Sequence, residues 1–258
     1  MTDVRVKKAF SHPFPGLVWS LTASTSGSVI VVEVRDKEAR QASFWALNYD
    51  SNQFLWEGRT LEESWWVNVS GVHENVILFT LFLDASNPEK KAVLAYSLDQ
   101  FRMLWWNNDF SISRVGRVVE GFTSKLGLKE QHLDLQTGRI TDKVDEKEQP
   151  MRVLKPGQFH EGTEHFETIR RFLADRLNFP AVGSFEYLET SSHILISCYE
   201  RQDELANYLF VLSLDGQVLL KEILDSSVHG IGLDTFFVIE RSLFFVKNKT
   251  ELISYTLI

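Results

Sequence analysis

The sequence predicts an all-β chain: a five-bladed β-propeller closed by its N- and C-terminal strands in one blade, with one inserted amphipathic helix. Three observations carry this. The first is a recurring unit. ALNYDSNQFLWEG (46–58) reads as a strand, a polar turn and a second strand, and related stretches begin at Leu94 (LAYSLDQFRMLWWN), His132 (HLDLQTGRITDK), Leu209 (LFVLSLDGQVLLKEI) and Leu252 (LISYTLI). A strand–turn–strand unit repeated at intervals of roughly 40 to 75 residues is the signature of radially repeated four-stranded sheets. The second is the half-unit at each end. LISYTLI lacks its second strand, and DVRVKKAF (3–10) supplies one, so pairing the ends removes an exposed edge. The third is a single change of period. Phe166, Ile169, Phe172, Leu173 and Leu177 recur at helical spacing with charges between them, which predicts a helix over 163–177.

Each element follows from local chemistry. In the 46–58 unit, Trp45, Leu47 and Tyr49 face one side of the strand, Asp50-Ser51-Asn52 supplies the turn, and Phe54-Leu55-Trp56 resumes the apolar run. Residues 3–10 read as the edge-completing strand. HPFPG (12–16) reads as a loop because of its two prolines, 18–24 as the first inner strand, and the β-branched run 29–35 as a buried one. The second unit takes 65–69, 75–83, a turn at 84–88 and the hairpin from Leu94. The third takes 111–119, 121–126 and the hairpin from His132, with 139–144 as a polar outer strand. Residues 145–158, with Pro150 and Pro156, read as a long loop leading into a helical insertion at about 159–178. The fourth unit takes 181–188, 193–199 and a hairpin turned by Asp215-Gly216. The fifth takes 232–240, 243–247 and 252–258. Units one to four thus have four strands each, the fifth three plus residues 3–10, and residues 1–258 read as one domain.

Composition excludes several classes. With 27 Lys and Arg against 35 Asp and Glu the net charge is −8, and no basic run is longer than two residues, so nucleic acid is not an expected partner. The single cysteine, Cys198, excludes a disulfide framework, and it sits in an apolar run that predicts a buried, inert thiol. No stretch reaches the roughly 18 to 20 apolar residues a membrane span needs, and the N-terminus lacks a signal-peptide core. The expectation is a cytoplasmic monomer without membrane attachment.

ALNYDSNQFLWEG resembles the blade signature of quinoprotein-like propeller repeats, and LQTGR (135–139) is similar but lacks the tryptophan. That resemblance implies the fold and not quinone chemistry. With WSLTAS (19–24) and WWNNDFSISRVGRVVEGF (105–122), the whole chain also resembles an uncharacterised family of bacterial propeller-like proteins known only as a domain of unknown function. This implies no activity.

Candidate functional residues are few. Inner strands of a propeller begin around one mouth, so Trp19, Trp65, Trp66, Arg114 and His229 are the expected ligand-binding set. Neighbours in a strand face opposite ways, so only one of Trp65 and Trp66 is expected to point inward; inter-blade packing is the structural alternative. An inward Arg114 suits a carboxylate or phosphate; pairing with Glu120 is its structural alternative. Glu120, Glu186 and Asp234 lie on or beside predicted inner strands, the placement a glycan-directed hydrolase would need, yet they sit at inconsistent positions along those strands. HEGTEH (160–165) departs from metalloprotease spacing, and His160 precedes the helix. No phosphate loop, nucleophile elbow or dinucleotide fingerprint occurs. The expectation is therefore no catalytic residue, no metal and no cofactor. The function expected is a scaffold that binds a protein or small-molecule ligand at its central face, with the hydrolase as the alternative.

Overall fold

Short β-branched and aromatic runs separated by Asn, Asp and Gly turns leave the backbone one economical solution, pairing each run with the next. The computed structural model describes residues 5–84, 86–123, 129–143, 152–201 and 203–258. It contains five antiparallel sheets and one helix. They fall into two units, one running from Pro15 to Arg152, the other combining the chain up to Phe14 with Val153–Ile258. The first strand, β1 (Val6–Pro13), belongs to the latter unit and is described with it.

The unit from Pro15 holds three sheets, each a meander of consecutive strands. The first comprises β2 (Leu17–Ala23), β3 (Val29–Asp36), β4 (Gln41–Asn48) and β5 (Gln53–Arg59). The second comprises β6 (Val67–His73), β7 (Val76–Phe82), β8 (Lys91–Ser97) and β9 (Met103–Asn107). The third comprises β10 (Ser111–Val115), β11 (Val118–Thr123) and β12 (Lys129–Asp134). The first strand of each carries a one-residue bulge, at Trp19, Ser70 and Ser113. Bulges bend an edge strand and re-aim a side chain.

The repeat noted in the sequence has a physical cause. Tyr49, Leu98 and Leu135 hold one position in successive units, their amides donating to Ser28, Asn75 and Arg117 carbonyls. The buried Trp56 Nε1 donates to the Leu98 carbonyl at 2.5 Å, and Trp105 Nε1 to the Leu135 carbonyl at 2.8 Å. The tryptophans of the first two units thus each satisfy the turn of the following unit. Gly138, at φ +65°, lies against Trp105, where a Cβ would meet the indole at 2.5 Å. Glycine is required there twice over, by backbone and by space. Phe44, Phe79 and Trp56 anchor one core of this unit, and Trp105, Phe110 and Val119 another.

The other unit begins with the short β13 (Val153–Leu154) and β14 (Gly157–His160), followed by α1 (Glu164–Leu177). Then come β15 (Ala181–Glu189), β16 (His193–Arg201), β17 (Leu205–Ser213), β18 (Val218–Val228), β19 (Phe236–Ile239), β20 (Ser242–Lys247) and β21 (Glu251–Leu257). One sheet runs β14-β15-β16-β17-β18 and the other β13-β19-β20-β21-β1. β1 pairs antiparallel with β21 from Val6↔Leu257 to Pro13↔Glu251, joining the two ends of the chain as expected. The helix starts at Thr163, whose hydroxyl accepts the Phe166 amide, and stops at Asn178 in the left-handed conformation. Phe166 and Leu173 are buried, Phe166 stacking on Phe185 at 4.5 Å, while Ile169 and Phe172 are only partly covered.

Several boundaries differ from expectation. Residues 12–13 belong to β1, not to a loop, since Pro13 sits at a strand end where it need not donate. Residues 111–119 form two strands, broken by the turn at Gly116 and Arg117. The expected outer strand 139–144 makes a single bridge, Leu133↔Ile140, so the third sheet has three strands among the described residues. The count of four strands per unit is accordingly replaced by sheets of four, four, three, five and five. The described part of 145–158 holds β13 and the first half of β14, which pair with β19 and β15; Pro156 separates them because it has no N–H for a ladder. The insertion's first residues, Phe159 and His160, are strand, and the helix occupies 164–177. In the fifth sheet the strand expected at 232–240 is confined to β19. Of the expected elements, Asp3 and Val4, Ala85, 124–126, Val144 and 145–151 lie outside the described residues. Among the described residues no helix is long and apolar enough to cross a membrane.

Candidate aromatic binding site

β3 reads VIVVEVRD, an apolar run interrupted by Glu33 and Arg35 at i and i+2, hence on one face. Both are used inward. The Glu33 side chain is fully buried; one oxygen accepts Arg35 Nε at 2.7 Å, the other the Ser20 hydroxyl at 3.2 Å and the Val69 amide at 3.4 Å. Arg35 also donates to the Trp65 carbonyl at 3.1 Å and the Val67 carbonyl at 2.8 Å. A buried ion pair is tolerable only when its remaining hydrogen-bonding capacity is met, and these backbone partners meet it. The pair thereby fastens the 65–67 segment to β3.

This network positions two indoles. The β2–β3 register runs Val18↔Val34 and then Ser20↔Glu33, leaving Trp19 as the extra residue of the bulge and 60% exposed. The Arg35 guanidinium lies 4.9 Å from the Trp19 ring centroid and 5.0 Å from that of Trp65, within cation–π range of both. Trp66 is 42% exposed; the Glu63 carboxylate accepts both the Trp65 and Trp66 amides, at 2.9 and 3.1 Å, shaping the bend. Arg35 spends its donors on the protein, so the surface offered is aromatic rather than charged. Such a surface can stack a ligand.

Of the sequence-predicted residues, the fold brings Trp19 and Trp65 together through Arg35 and leaves Trp66 beside them at the surface. Arg114 lies elsewhere in the same unit, on β10, 3.5 Å from Glu120. His229 lies in the other unit. It lines a shallow depression of about 210 Å³ with Arg201, Glu204, Leu205, Ser227 and Val228. Sequence reasoning missed Glu33 and Arg35, although two charges in a run of valines are the signal that would have found them.

Glu186 and Asp234 are both engaged in contacts within the protein. Glu186 is buried and accepts the Asp234 amide, the Thr235 amide at 3.0 Å and the Thr235 hydroxyl, tying β15 to the segment before β19. Burial raises its pKa above the ordinary carboxylate value, against the pull of those hydrogen bonds. Asp234 pairs with Lys155 at 2.6 Å. In HEGTEH, His165 stacks on Phe159 at 5.3 Å and Glu161 accepts the Gly183 amide, while His160 is exposed at the end of β14. Cys198 is buried, as expected, and desolvation pushes its thiol pKa far up. Glu120, Glu130 and His132 bring three ligand-type atoms within 4.8 Å of one another.

Residues 23–105 match the model of a domain of unknown function, DUF4905. That segment spans β3 to β9 and includes Glu33, Arg35, Trp65 and Trp66, and it covers less than half of the chain. No curated protein matches. Among solved structures, Raptor from Chaetomium thermophilum aligns at 9% identity over 99% of this chain and 29% of its own, with a TM-score of 0.40. The present chain therefore spans under a third of that protein's length. BamB from Moraxella catarrhalis aligns at 9% identity over 97% of this chain and 99% of its own, TM-score 0.25. The β-propeller domain of the Trilobed protease from Pyrococcus furiosus aligns at 11% identity over 90% and 64%, TM-score 0.32.

Proposed function

We propose that this chain is a non-catalytic binding module whose ligand, a protein segment or a small molecule with a flat apolar or sugar-like face, stacks on Trp19, Trp65 and Trp66. The observation that carries the reading is Trp19: a bulge aims it into solvent, and Arg35, tied to Glu33 and to the Trp65 and Val67 carbonyls, lies against its ring. Leaving more than half of an indole in water forgoes roughly 2–4 kcal/mol of burial. Rigid aromatic surface presented this way suits recognition at low entropic cost. The same proposal has the protein act as a cytoplasmic monomer, with neither nucleic acid nor membrane as partner, and treats residues 1–258 as a single domain. One cooperative calorimetric transition is the expectation for that last point, and two separate transitions would refute it.

The test of binding is mass spectrometry of ligands retained by the purified chain, together with arrays of peptides and oligosaccharides. Wild type should retain a ligand that Trp19→Ala and Trp66→Ala lose by at least about tenfold, with unchanged circular dichroism. Retention by the variants equal to wild type sinks the assignment.

A further inference from the structure

The three-stranded sheet carries a second, chemically distinct constellation. β11 and β12 are in register with Glu120 directly opposite His132 and Phe122 opposite Glu130. Because side chains alternate along a strand, Glu120, His132 and Glu130 emerge on one face, opposite to the buried Val119 and Leu133. One ligand atom from each, two carboxylate oxygens and an imidazole nitrogen, lies within 4.8 Å of the other two. His132 Nε2 is already 3.5 Å from Glu130 Oε1.

Two features separate this set from an ordinary acidic patch. His132 Nε2 is shielded from solvent and, among the described residues, has no hydrogen-bond partner. A buried, unsatisfied ring nitrogen is uncommon and asks for a partner. In addition, two carboxylates flank that ring: Glu120 on the neighbouring strand, its side chain only 13% exposed, and Glu130 two residues along, 58% exposed, with Oε1 3.5 Å from Nε2. Arg114, the cross-strand neighbour of Glu120 on β10, holds that carboxylate from the side away from His132. Such an outer contact orients a ligating carboxylate.

We propose that Glu120, Glu130 and His132 form a binding site for a divalent cation of the zinc type. Zinc bonds imidazole nitrogen and carboxylate oxygen at about 2.0–2.2 Å, so tetrahedral donors stand about 3.4 Å apart. The Glu130–His132 pair is at that spacing, and Glu120 needs a closure of no more than about 1.4 Å to join it. One nitrogen and two oxygens suit zinc, cobalt or manganese, whereas calcium takes six to eight oxygens. Three protein ligands leave a fourth position for water or for a donor atom of a bound molecule.

The experiment uses the full, untagged chain freed of metal with chelator and titrated with Zn²⁺ by calorimetry and with Co²⁺ by visible absorption. Wild type should bind one equivalent, develop the intense visible bands of four-coordinate cobalt, and melt at a higher temperature in zinc. Glu130→Gln should weaken binding at least about tenfold and abolish the bands, as should His132→Gln. The Glu130 side chain is mostly exposed, so its variant keeps the test valid should His132→Gln fold poorly. Arg114→Gln, which removes only the outer contact to Glu120, should weaken binding less than either ligand variant. Absence of saturable zinc uptake by wild type, or uptake by Glu130→Gln equal to wild type, overturns the site.

Discussion

Replacing Trp105 with Phe should cost far more than the same change one residue later. Trp105 is buried and its Nε1 is the donor to the Leu135 carbonyl at 2.8 Å, in a residue that is itself buried. Phenylalanine keeps most of the ring and removes that donor. A buried carbonyl left without its partner costs about 1–3 kcal/mol, and the space vacated by the smaller ring adds about 1 kcal/mol. The expected loss is therefore about 2–4 kcal/mol. Trp106, 65% exposed, points the other way, so Trp106→Phe should change stability by no more than about 0.5 kcal/mol. Urea unfolding followed by far-ultraviolet circular dichroism measures both, with the slope compared to ensure that the midpoint shift reports stability. A Trp105→Phe loss below about 1 kcal/mol, or one equal to that of Trp106→Phe, would refute the claim that the Trp105 indole secures the turn of the next unit.

Three further outcomes follow from the other unit. Phe166→Ala should destabilise by about 3–5 kcal/mol, as for a buried aromatic, while the half-covered Phe172→Ala costs clearly less; equal losses in urea unfolding would show the helix face misassigned. Lys221 Nζ lies 5.1, 5.0 and 5.3 Å from the rings of Phe179, Tyr208 and Phe210, so Lys221→Met, which keeps the stem and removes the charge, should cost about 1–2 kcal/mol; no change in melting temperature would count against it. Burial holds the His193 pKa below its ordinary value, with the Arg5 backbone pulling the other way. The unfolded chain then binds the extra proton, so this contribution is complete above about pH 6.5, falls as pH drops from there to the folded-state pKa, and is flat below. His193→Gln should lose that part of the pH dependence, and an unaltered profile of unfolding midpoint against pH would contradict the assignment.

The repeat was legible in the sequence because its causes are local. A capping Asn, Ser or Asp, a turn of fixed chemistry and a following tryptophan lie within about a dozen residues, and turn residues act through their own nearby backbone. Asn48 accepts the Asp50 and Ser51 amides, and Asp134 accepts the Thr137 amide. The helix was legible for the same reason, its period and its Thr163 cap being properties of one segment. The pairing of β1 with β21 could be read because each end held an unpartnered apolar run. What sequence could not decide was where long-range partners land. β13 and β14 are too short to carry a period, and they exist because β19 and β15 offer open edges. The bulge that turns Trp19 outward is a property of the β2–β3 register and not of either strand alone. Arg35 sits 30 residues before the carbonyl it fastens at Trp65, and Glu120 meets His132 only through the pairing of β11 with β12. Both constellations depend on side chains whose direction is set by tertiary register, and strand alternation reverses that direction with every one-residue shift.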